Sequence, residues 1–385
     1  MSKQLPYALT NFSLLTGHTA IQPIDAIIIS GKKITGLARM DDIPEGVEQF
    51  DLKGHTVSPG FIDLQLNGCG GVLLNSDIST QTLDIMHSAN LRSGCTTFLP
   101  TLITCSDNDM HKAVKVVRHY TEQYPERTPG IHLEGPYLNK ARKGIHNEQF
   151  IRKPSDEMID FMCRNADVIA MITLAPEVCP ESVIERLNQA GIVVSLGHTD
   201  ATFDQVQKAE DAGARFVTHL FNGMSQLTHR EPGVIGGVFA SEQLGAGIIA
   251  DGYHLDWSNL LLARRLLNDR LVLVTDATPA AGSDMTEFEF AGQTIYHQNG
   301  KCTGKDGTLG GSALTMIEAV VNSITAGIDK HDAIRMATAN PAMVINTSDK
   351  MGEIALGYYA NLAIFDQHFK MQGSVSGGNL EFHGL

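Results

Sequence analysis

The chain has 385 residues, 43% hydrophobic and 19% charged, a composition that supplies a large core over two or three domains and excludes a disordered or fibrous polymer. Its 29 Lys and Arg against 43 Asp and Glu give a net charge of -14, which lacks the basic footprint of a nucleic-acid binder and obliges any anionic ligand to rely on local donors. No run approaches the roughly 18 apolar residues of a membrane span, the first ten residues carry no signal-peptide core, and the six cysteines include no C-x-x-C pair, so a cytoplasmic protein without a membrane partner is expected.

In chain order, residues 24–29 and 33–37 flank Ser30-Gly31-Lys32, the pattern of a β-hairpin. Residues 352–354 and 363–365 are similar short apolar pieces near the other end. Two β-rich ends predict one small β-sandwich domain assembled from 1–56 and 352–385. Between them, over 57–351, eight short apolar runs occur at 60–66, 96–99, 130–134, 168–174, 192–196, 216–220, 246–250 and 271–275. Helical patterns at 79–93, 108–123, 155–165, 181–190, 203–213 and 256–268 alternate with them. Such alternation predicts parallel βα units, and their number and length match an α/β fold of the (β/α)8 TIM-type barrel. A doubly wound sheet is the rival, but no G-x-G-x-x-G follows the first run and no G-x-x-x-x-G-K-[ST] occurs. The stretch 278–308 reads as strands, a lid, or both.

Barrel chemistry belongs at the C-terminal ends of strands. Gln65 and Asn67 end the first run, Glu134 the third, and His198 the fifth; His219 and Asn222 follow the sixth, Asp251 and His254 the seventh, and Asp276 the eighth. Two imidazoles and one carboxylate with an open position form a known catalytic zinc set, so Glu134, His198 and His219 are the candidate ligands. Asp276 is then the group that takes a proton from water and delivers it to a leaving group. Taken singly, each has a structural alternative: a lone His is more often a satisfied core group, Glu134 can cap a turn, and Asp276 can cap a helix. Their joint arrival at strand ends favours a site. Asn67-Gly-Cys-Gly-Gly71 either presents backbone N–H groups to a ligand or forms a tight loop. Cys69 reads as a packing residue, and His132 as a core or supporting group rather than a ligand.

At these positions the chain resembles the amidohydrolase superfamily and, more narrowly, the N-acetylglucosamine-6-phosphate deacetylases. The resemblance is carried by Pro59-Gly-Phe-Ile-Asp-Leu-Gln-Leu-Asn-Gly68, His132-Leu-Glu-Gly-Pro136, Lys143-Gly-Ile-His-Asn147, Leu196-Gly-His-Thr199, Thr218-His-Leu-Phe-Asn-Gly-Met224, Ala250-Asp-Gly-Tyr-His254, Thr275-Asp-Ala277 and Leu309-Gly-Gly-Ser312. It implies hydrolysis of the acetamide of N-acetyl-D-glucosamine 6-phosphate to glucosamine 6-phosphate and acetate, in amino-sugar catabolism and recycling. It implies one divalent ion per subunit on Glu134, His198 and His219, zinc foremost, with Fe2+, Co2+, Ni2+ and Mn2+ as alternatives.

The resemblance further matches Asp276 to the general base and acid. His146 and His254 match groups that polarise the acetyl carbonyl or contact the sugar and its phosphate, and which does which stays open. Arg230 matches a phosphate anchor, although an ion pair with Glu231 is an equal reading of the residue itself. Asn222 and Gly223 offer donors beside it, Leu309, Gly310 and Gly311 match a substrate-lining loop, and Ile145, Gln65, Asn67 and Asp251 complete the implied substrate contacts. A homodimer or homotetramer is implied, with Arg230 or His254 acting across the interface.

Gln65 and Asn67 stand where many amidohydrolases carry His-x-His, which argues for one strong metal site rather than two. Asn361 stands where many relatives have Asp, in the small domain, with no chemical role expected. Two rivals remain: an amidohydrolase acting on a cyclic amide or another acetylated amine, and a non-catalytic sugar-phosphate binder.

Overall fold

The apolar runs of the central segment pair in sequential order into one parallel eight-stranded sheet: Phe61–Leu66, Cys95–Ile103, Ile131–Glu134, Ile169–Leu174, Val193–Leu196, Phe216–Val217, Gly245–Ile248 and Leu271–Leu273. We number these the first to eighth barrel strands, in a computed structural model that describes residues 5–17 and 24–383. Nearly every position in them is buried. Burial on both faces is why the sequence shows continuous apolar runs rather than alternation.

The barrel closes between the first and eighth strands through a short bridge, Leu66 to Ala277, and the Asp276 N–H donating to the Gln65 carbonyl at 2.9 Å. Below that bridge the buried Asp63 carboxylate takes the place of ladder bonds. It accepts from the Gln65 N–H at 3.1 Å, the Thr275 N–H at 3.2 Å and the Thr275 hydroxyl.

The expected helices are present at Thr80–Leu91, Asp107–Gln123, Asp156–Arg164, Glu181–Gln189, Phe203–Asp211 and Trp257–Leu267. Ser79, Ser106, Ser155 and Asp256 each cap one by accepting a backbone N–H, and Thr202 forms a capping box with Gln205. Gly233–Ala240 is an additional helix that the sequence concealed. Its glycines and β-branched residues are weak helix formers, and it forms because it packs onto Phe203–Asp211 so closely that a Cβ on Gly237 would meet Val206 at 2.6 Å. Met316–Ala326, Lys330–Ala337 and Ala339–Val344 follow the last strand and are likewise absent from the sequence-based expectation.

The stretch 278–308 resolves into strands. Glu287–Phe290, Gln293–Gln298, Lys301–Thr303 and Leu309–Ser312 form an antiparallel sheet. Phe288, Phe290, Ile295 and Cys302 turn inward and pack on Leu73, Ile103 and Ile145, roofing the barrel mouth. Leu309 to Gly311 therefore belong to a strand, where the resemblance implied a loop; it pairs with Lys301–Thr303 across a bulge, with Gly311 at φ 69°.

A four-stranded sheet (Tyr7–Thr10, Ala26–Ser30, Lys33–Ala38, Glu48–Asp51) faces a five-stranded one (Ser13–Leu14, Thr56–Pro59, Leu362–Phe365, Met371–Ser376, Asn379–Phe382). Leu9, Ile27, Ile29, Ile34, Val57, Leu362, Ile364 and Val375 form their shared core. The two chain ends thus build the small β-sandwich, with Thr56–Pro59 pairing to Leu362–Phe365 at the entry to the barrel. The hairpin at residues 24–37 is present, whereas 352–354 forms no strand. Residues 1–4, 18–23 and 384–385 of the expected small domain lie outside the described residues.

Asn361 joins the two domains. Its amide donates to Thr97 Oγ1 at 3.1 Å and to the Glu126 carbonyl at 2.7 Å, and its carbonyl accepts from the Gly377 N–H at 2.8 Å. Lys32 reaches the buried Glu126 carboxylate at 2.8 Å across the same junction. No helix among the described residues is long and apolar enough to cross a membrane.

Candidate active site

Three of the expected site residues share one backbone feature. His198 (φ 48°), His219 (φ 30°) and Asp276 (φ 49°) all adopt left-handed conformations just past the fifth, sixth and eighth strands. Such a conformation costs a residue with a Cβ on the order of 1–3 kcal/mol and clusters at functional sites. Here the sharp turn at each strand end coincides with a side chain lining the barrel mouth. It also ends the sixth strand at Val217, short of the 216–220 run.

The three candidate ligands converge. Glu134 Oε1 lies 3.1 Å from His198 Nε2 and 3.2 Å from His219 Nε2, and the two Nε2 atoms are 3.0 Å apart. All three residues are buried. His198 Nδ1 donates to the Arg142 carbonyl at 2.8 Å, which leaves its Nε2 lone pair facing inward. Lone pairs do not cluster in a dry site without a positive charge between them. A tetrahedral ion with bonds of about 2.0–2.1 Å would set its ligand atoms about 3.3 Å apart, so this donor set fits a divalent metal.

Burial alone would raise the Glu134 carboxyl, but the adjoining His198 and His219 imidazoles together hold it well below the usual carboxylate range. It is therefore an anion ready for a cation. Burial pushes the His146 imidazole well below its ordinary value, assisted by the neighbouring His198, so it is neutral. Its Nδ1 sits 2.8 Å from Thr104 Oγ1, and its ring lies edge-on to His198 at 4.3 Å.

Asp276 is tied to the ligand set by the two amides of the first strand. Gln65 Nε2 donates at 3.1 Å both to Glu134 Oε1 and to Asp276 Oδ1, and Asn67 Nδ2 donates to Asp276 Oδ1 at 2.6 Å. Burial and the negative Glu134 raise the Asp276 carboxyl to about 6. Gln65 and Asn67 thus act as donors to carboxylates, which a His-x-His pair binding metal through its lone pairs would not do.

Glu134, His146, His198, His219 and Asp276 line a cavity of about 220 Å3, together with Asn67, Ile145, Asn222, Gly223, His254, Leu309 and Gly311, whereas Gln65 lies outside the lining. Gly223 has φ 58°, and a Cβ there would meet His198 Nδ1 at 3.1 Å, so the chain passes close to the ligand. Asp251 lies behind His254, accepting from its Nδ1 at 2.7 Å and from the Tyr253 and His254 N–H groups. Gly310 turns away from the cavity toward Ile295. Arg230 is exposed and outside the cavity lining. Its neighbour Glu231 accepts from the Phe203 and Gly233 N–H groups, and no ion pair joins Arg230 to it among the described residues.

The N–H groups of Asn67, Gly68, Gly70 and Gly71 donate to carbonyls of Ala277, Pro279 and Ala281. The glycine segment is therefore a tight loop welded to the eighth strand's end, with these four donors taken up by the protein itself. His132 is a core group. Its Nδ1 donates to the Leu64 carbonyl, its Nε2 meets the Thr173 hydroxyl, and burial lowers it to about 4.

Sequence reasoning assigned nothing to the second and fourth strands. The structure adds Thr104 just past the second, on His146, and Glu177 just past the fourth, on the loops around His198. Both are polar residues after a strand end, the same signal that marks the other six strands. Ile103, Gly144, Phe290 and Thr308 complete the cavity wall and carry no polar signature from which to find them, Thr308 excepted.

Residues 56–382 match the amidohydrolase family, and residues 6–57 match the NagA composite domain. The chain is 39% identical to N-acetylglucosamine-6-phosphate deacetylase of Haemophilus influenzae over 97% of this chain and 99% of that one. It is 37% identical to N-acetylgalactosamine-6-phosphate deacetylase of a Shewanella species over 91% and 89%. The crystal structure of N-acetylglucosamine-6-phosphate deacetylase from Pasteurella multocida superposes with a TM-score of 0.95 at 44% identity, covering 98% of this chain and all of that one.

Proposed function

The chain belongs to the amidohydrolase family, and on that basis we infer that its barrel site hydrolyses the acetamide of N-acetyl-D-glucosamine 6-phosphate, releasing acetate and D-glucosamine 6-phosphate. The observation that carries this reading is the convergence of Glu134, His198 and His219 on one point, with Asp276 tied to Glu134 through Gln65. Relatives that act on this substrate cover nearly the full chain.

Glu134, His198 and His219 would hold one divalent ion, zinc first, with Fe2+, Co2+, Ni2+ and Mn2+ able to share such ligands. When bound, the ion supplies Lewis acidity and lowers the pKa of water toward ~7. Asp276, a carboxyl raised to about 6 and so largely ionised at neutral pH, accepts the proton of the attacking water and returns it to the amide nitrogen as the C–N bond breaks. The Thr104 hydroxyl is closer to His146 Nδ1, at 2.8 Å, than to the Glu134 carbonyl, at 3.4 Å. Donation to Nδ1 leaves His146 Nε2–H facing the cavity, where it meets the oxyanion that develops on the acetyl oxygen. The Asp251 carboxylate orients His254 toward the sugar. Gln65 and Asn67, occupied with Asp276, favour a single ion over two.

Arg230 is proposed as the phosphate anchor. Arg230 is exposed, three residues past the exposed Leu227, and Tyr253, Trp257, Leu262 and Leu266 are further exposed apolar side chains, which supports a homodimer or homotetramer in which the anchor works at a subunit boundary. The protein is proposed to be cytoplasmic, in amino-sugar catabolism and recycling.

The test is acetate release from N-acetylglucosamine 6-phosphate by protein as purified, stripped by chelator and reloaded with zinc. The 4-epimer, N-acetylgalactosamine 6-phosphate, and unphosphorylated N-acetylglucosamine are the comparison substrates. Metal-dependent release is expected, with a preference for the phosphorylated sugar above about tenfold, near 1.4 kcal/mol. Greater release from the 4-epimer reassigns the substrate, and no release in any metal state removes the reading.

A further inference from the structure

We propose that Glu177 is the positioning residue of the metal centre, a carboxylate bracket that fixes the His198 imidazole without touching the metal or the substrate. This rests on the metal reading given above.

Glu177 lies three residues past the fourth barrel strand, Ile169–Leu174, and outside the lining of the active-site cavity. Its carboxylate gathers two loops that start from different strands. From the loop after the third strand, Asn139 Nδ2 donates to Oε1 at 2.8 Å. From the loop after the fifth, the Asp200 N–H donates to Oε1 at 2.6 Å and the Thr199 hydroxyl donates to Oε2. Thr199 and Asp200 directly follow His198 in the chain, and Asn139 opens the segment that carries its Nδ1 acceptor.

The loops are themselves cross-tied around His198. The Asn139 N–H donates to the His198 carbonyl at 2.9 Å, and His198 Nδ1 donates to the Arg142 carbonyl at 2.8 Å. Arg142 reaches Asp200 Oδ1 through Nε at 2.9 Å and through NH2 at 2.7 Å. The ring orientation and the tautomer of His198 are therefore set by where the 139–142 segment lies relative to the 198–200 segment, and Glu177 bonds to both through its side-chain oxygens. His198 also holds a left-handed backbone (φ 48°), which relaxes unless its surroundings over-determine it. Removal of the bracket frees both loops and lets the Nε2 lone pair swing away from Glu134 and His219.

Zn2+ affinity is measured by competition with a chromophoric chelator in Glu177→Ala, Glu177→Gln and Thr199→Val, beside the parent chain. Visible absorption of the Co2+-loaded forms reports ligand geometry, and thermal unfolding of the stripped proteins reports the fold. Loss of a partner that orients a ligand commonly weakens metal affinity by about 10- to 100-fold, and that is the result expected for Glu177→Ala, with an altered Co2+ spectrum. Glu177→Gln keeps an oxygen for Asn139 and Asp200 and offers its NH2 to the Thr199 oxygen, so it is expected to recover most of the affinity. Thr199→Val removes one arm and is expected to lose part of it; it carries the test should Glu177→Ala not fold.

Unchanged Zn2+ affinity and an unchanged Co2+ spectrum in Glu177→Ala, with only a lower unfolding temperature, overturn the proposal in favour of a purely structural role. A loss in Glu177→Gln as large as in Glu177→Ala overturns it in favour of charge. A parent chain that binds no Zn2+ fails the metal reading itself, a result distinct from either.

Discussion

The proton-transfer role proposed for Asp276 rests on its neighbours rather than on its identity. Its carboxylate is buried and faces the Glu134 charge, and both raise it from the ordinary 3.8 to about 6 against the lowering effect of the Asn67 amide; Gln65 and Asn67 fix its position. Replacement by Asn keeps the size and can keep the hydrogen-bonded contacts, but removes the acid and base. Asp276→Asn is expected to retain its metal, measured by elemental analysis, while kcat falls by about 10²–10⁴-fold. Near-normal turnover in that variant would show that the proton moves elsewhere. Asp63, on the neighbouring first strand, illustrates the opposite use of a buried carboxylate: among the described residues it bonds only to Gln65 and Thr275, and it lies outside the lining of the active-site cavity.

Between elements, that second carboxylate is what seals the barrel. The first and eighth strands share only a short bridge, and Asp63 supplies the acceptors that the missing ladder would have provided. Burial raises its carboxyl from 3.8 to about 7, against the opposing hydrogen bonds. The folded protein therefore holds this proton more tightly than the unfolded chain, and the contribution to stability falls as pH rises from about 4 to about 7, then levels. Asp63→Asn preserves the neutral form's shape, so it is expected to remove that decline and to gain on the parent above pH 7. A tenfold change in proton affinity is worth about 1.4 kcal/mol, so an effect on the order of a few kcal/mol is expected by denaturant titration across this pH range. Equal pH dependence in both proteins would mean that Asp63 stays ionised. The inserted antiparallel sheet at 287–312 shows another device at this level: an alternating Glu-Phe-Glu-Phe strand puts Phe288 and Phe290 over the mouth while leaving its outer face to water.

Sandwich and barrel are held as one body by their junction. Asn361 makes three buried hydrogen bonds there, to Thr97, the Glu126 carbonyl and the Gly377 N–H. A buried polar group stripped of its partner costs about 1–3 kcal/mol, so Asn361→Ala, which strips more than one, is expected to destabilise the protein by about 2–4 kcal/mol in denaturant unfolding. The proposed metal site lies at the far ends of the barrel strands, so Zn2+ affinity in the folded fraction is expected to be unchanged. A loss of metal affinity without loss of stability would mean that the two domains are coupled through the site. The sequence predicts no chemical role for this position, and its contacts make its role mechanical.

The barrel is legible in the sequence because its signals are local. Continuous apolar runs report strands buried on both faces, Ser, Thr and Asp caps report helix starts, and polar residues past strand ends report a mouth. Glu134, His198, His219 and Asp276 are found in this way, and the structure brings them together. The helix Gly233–Ala240 is not legible, because its stability comes from contact with Phe203–Asp211 and not from its own glycine-rich sequence. Nor is the fate of the Asn67–Gly71 segment, since the carbonyls that absorb its N–H groups belong to residues 277–281, far along the chain. Which residue types reach the barrel mouth, and in what order, follows from the chain alone, because strand period and strand ends are properties of neighbouring residues. What each of them does there follows only from the assembled fold. Whether Gln65 binds an ion or steadies Asp276, whether Asp63 closes the barrel, and what Glu177 bonds to depend on contacts between loops from different strands, and on the desolvation that a closed barrel imposes.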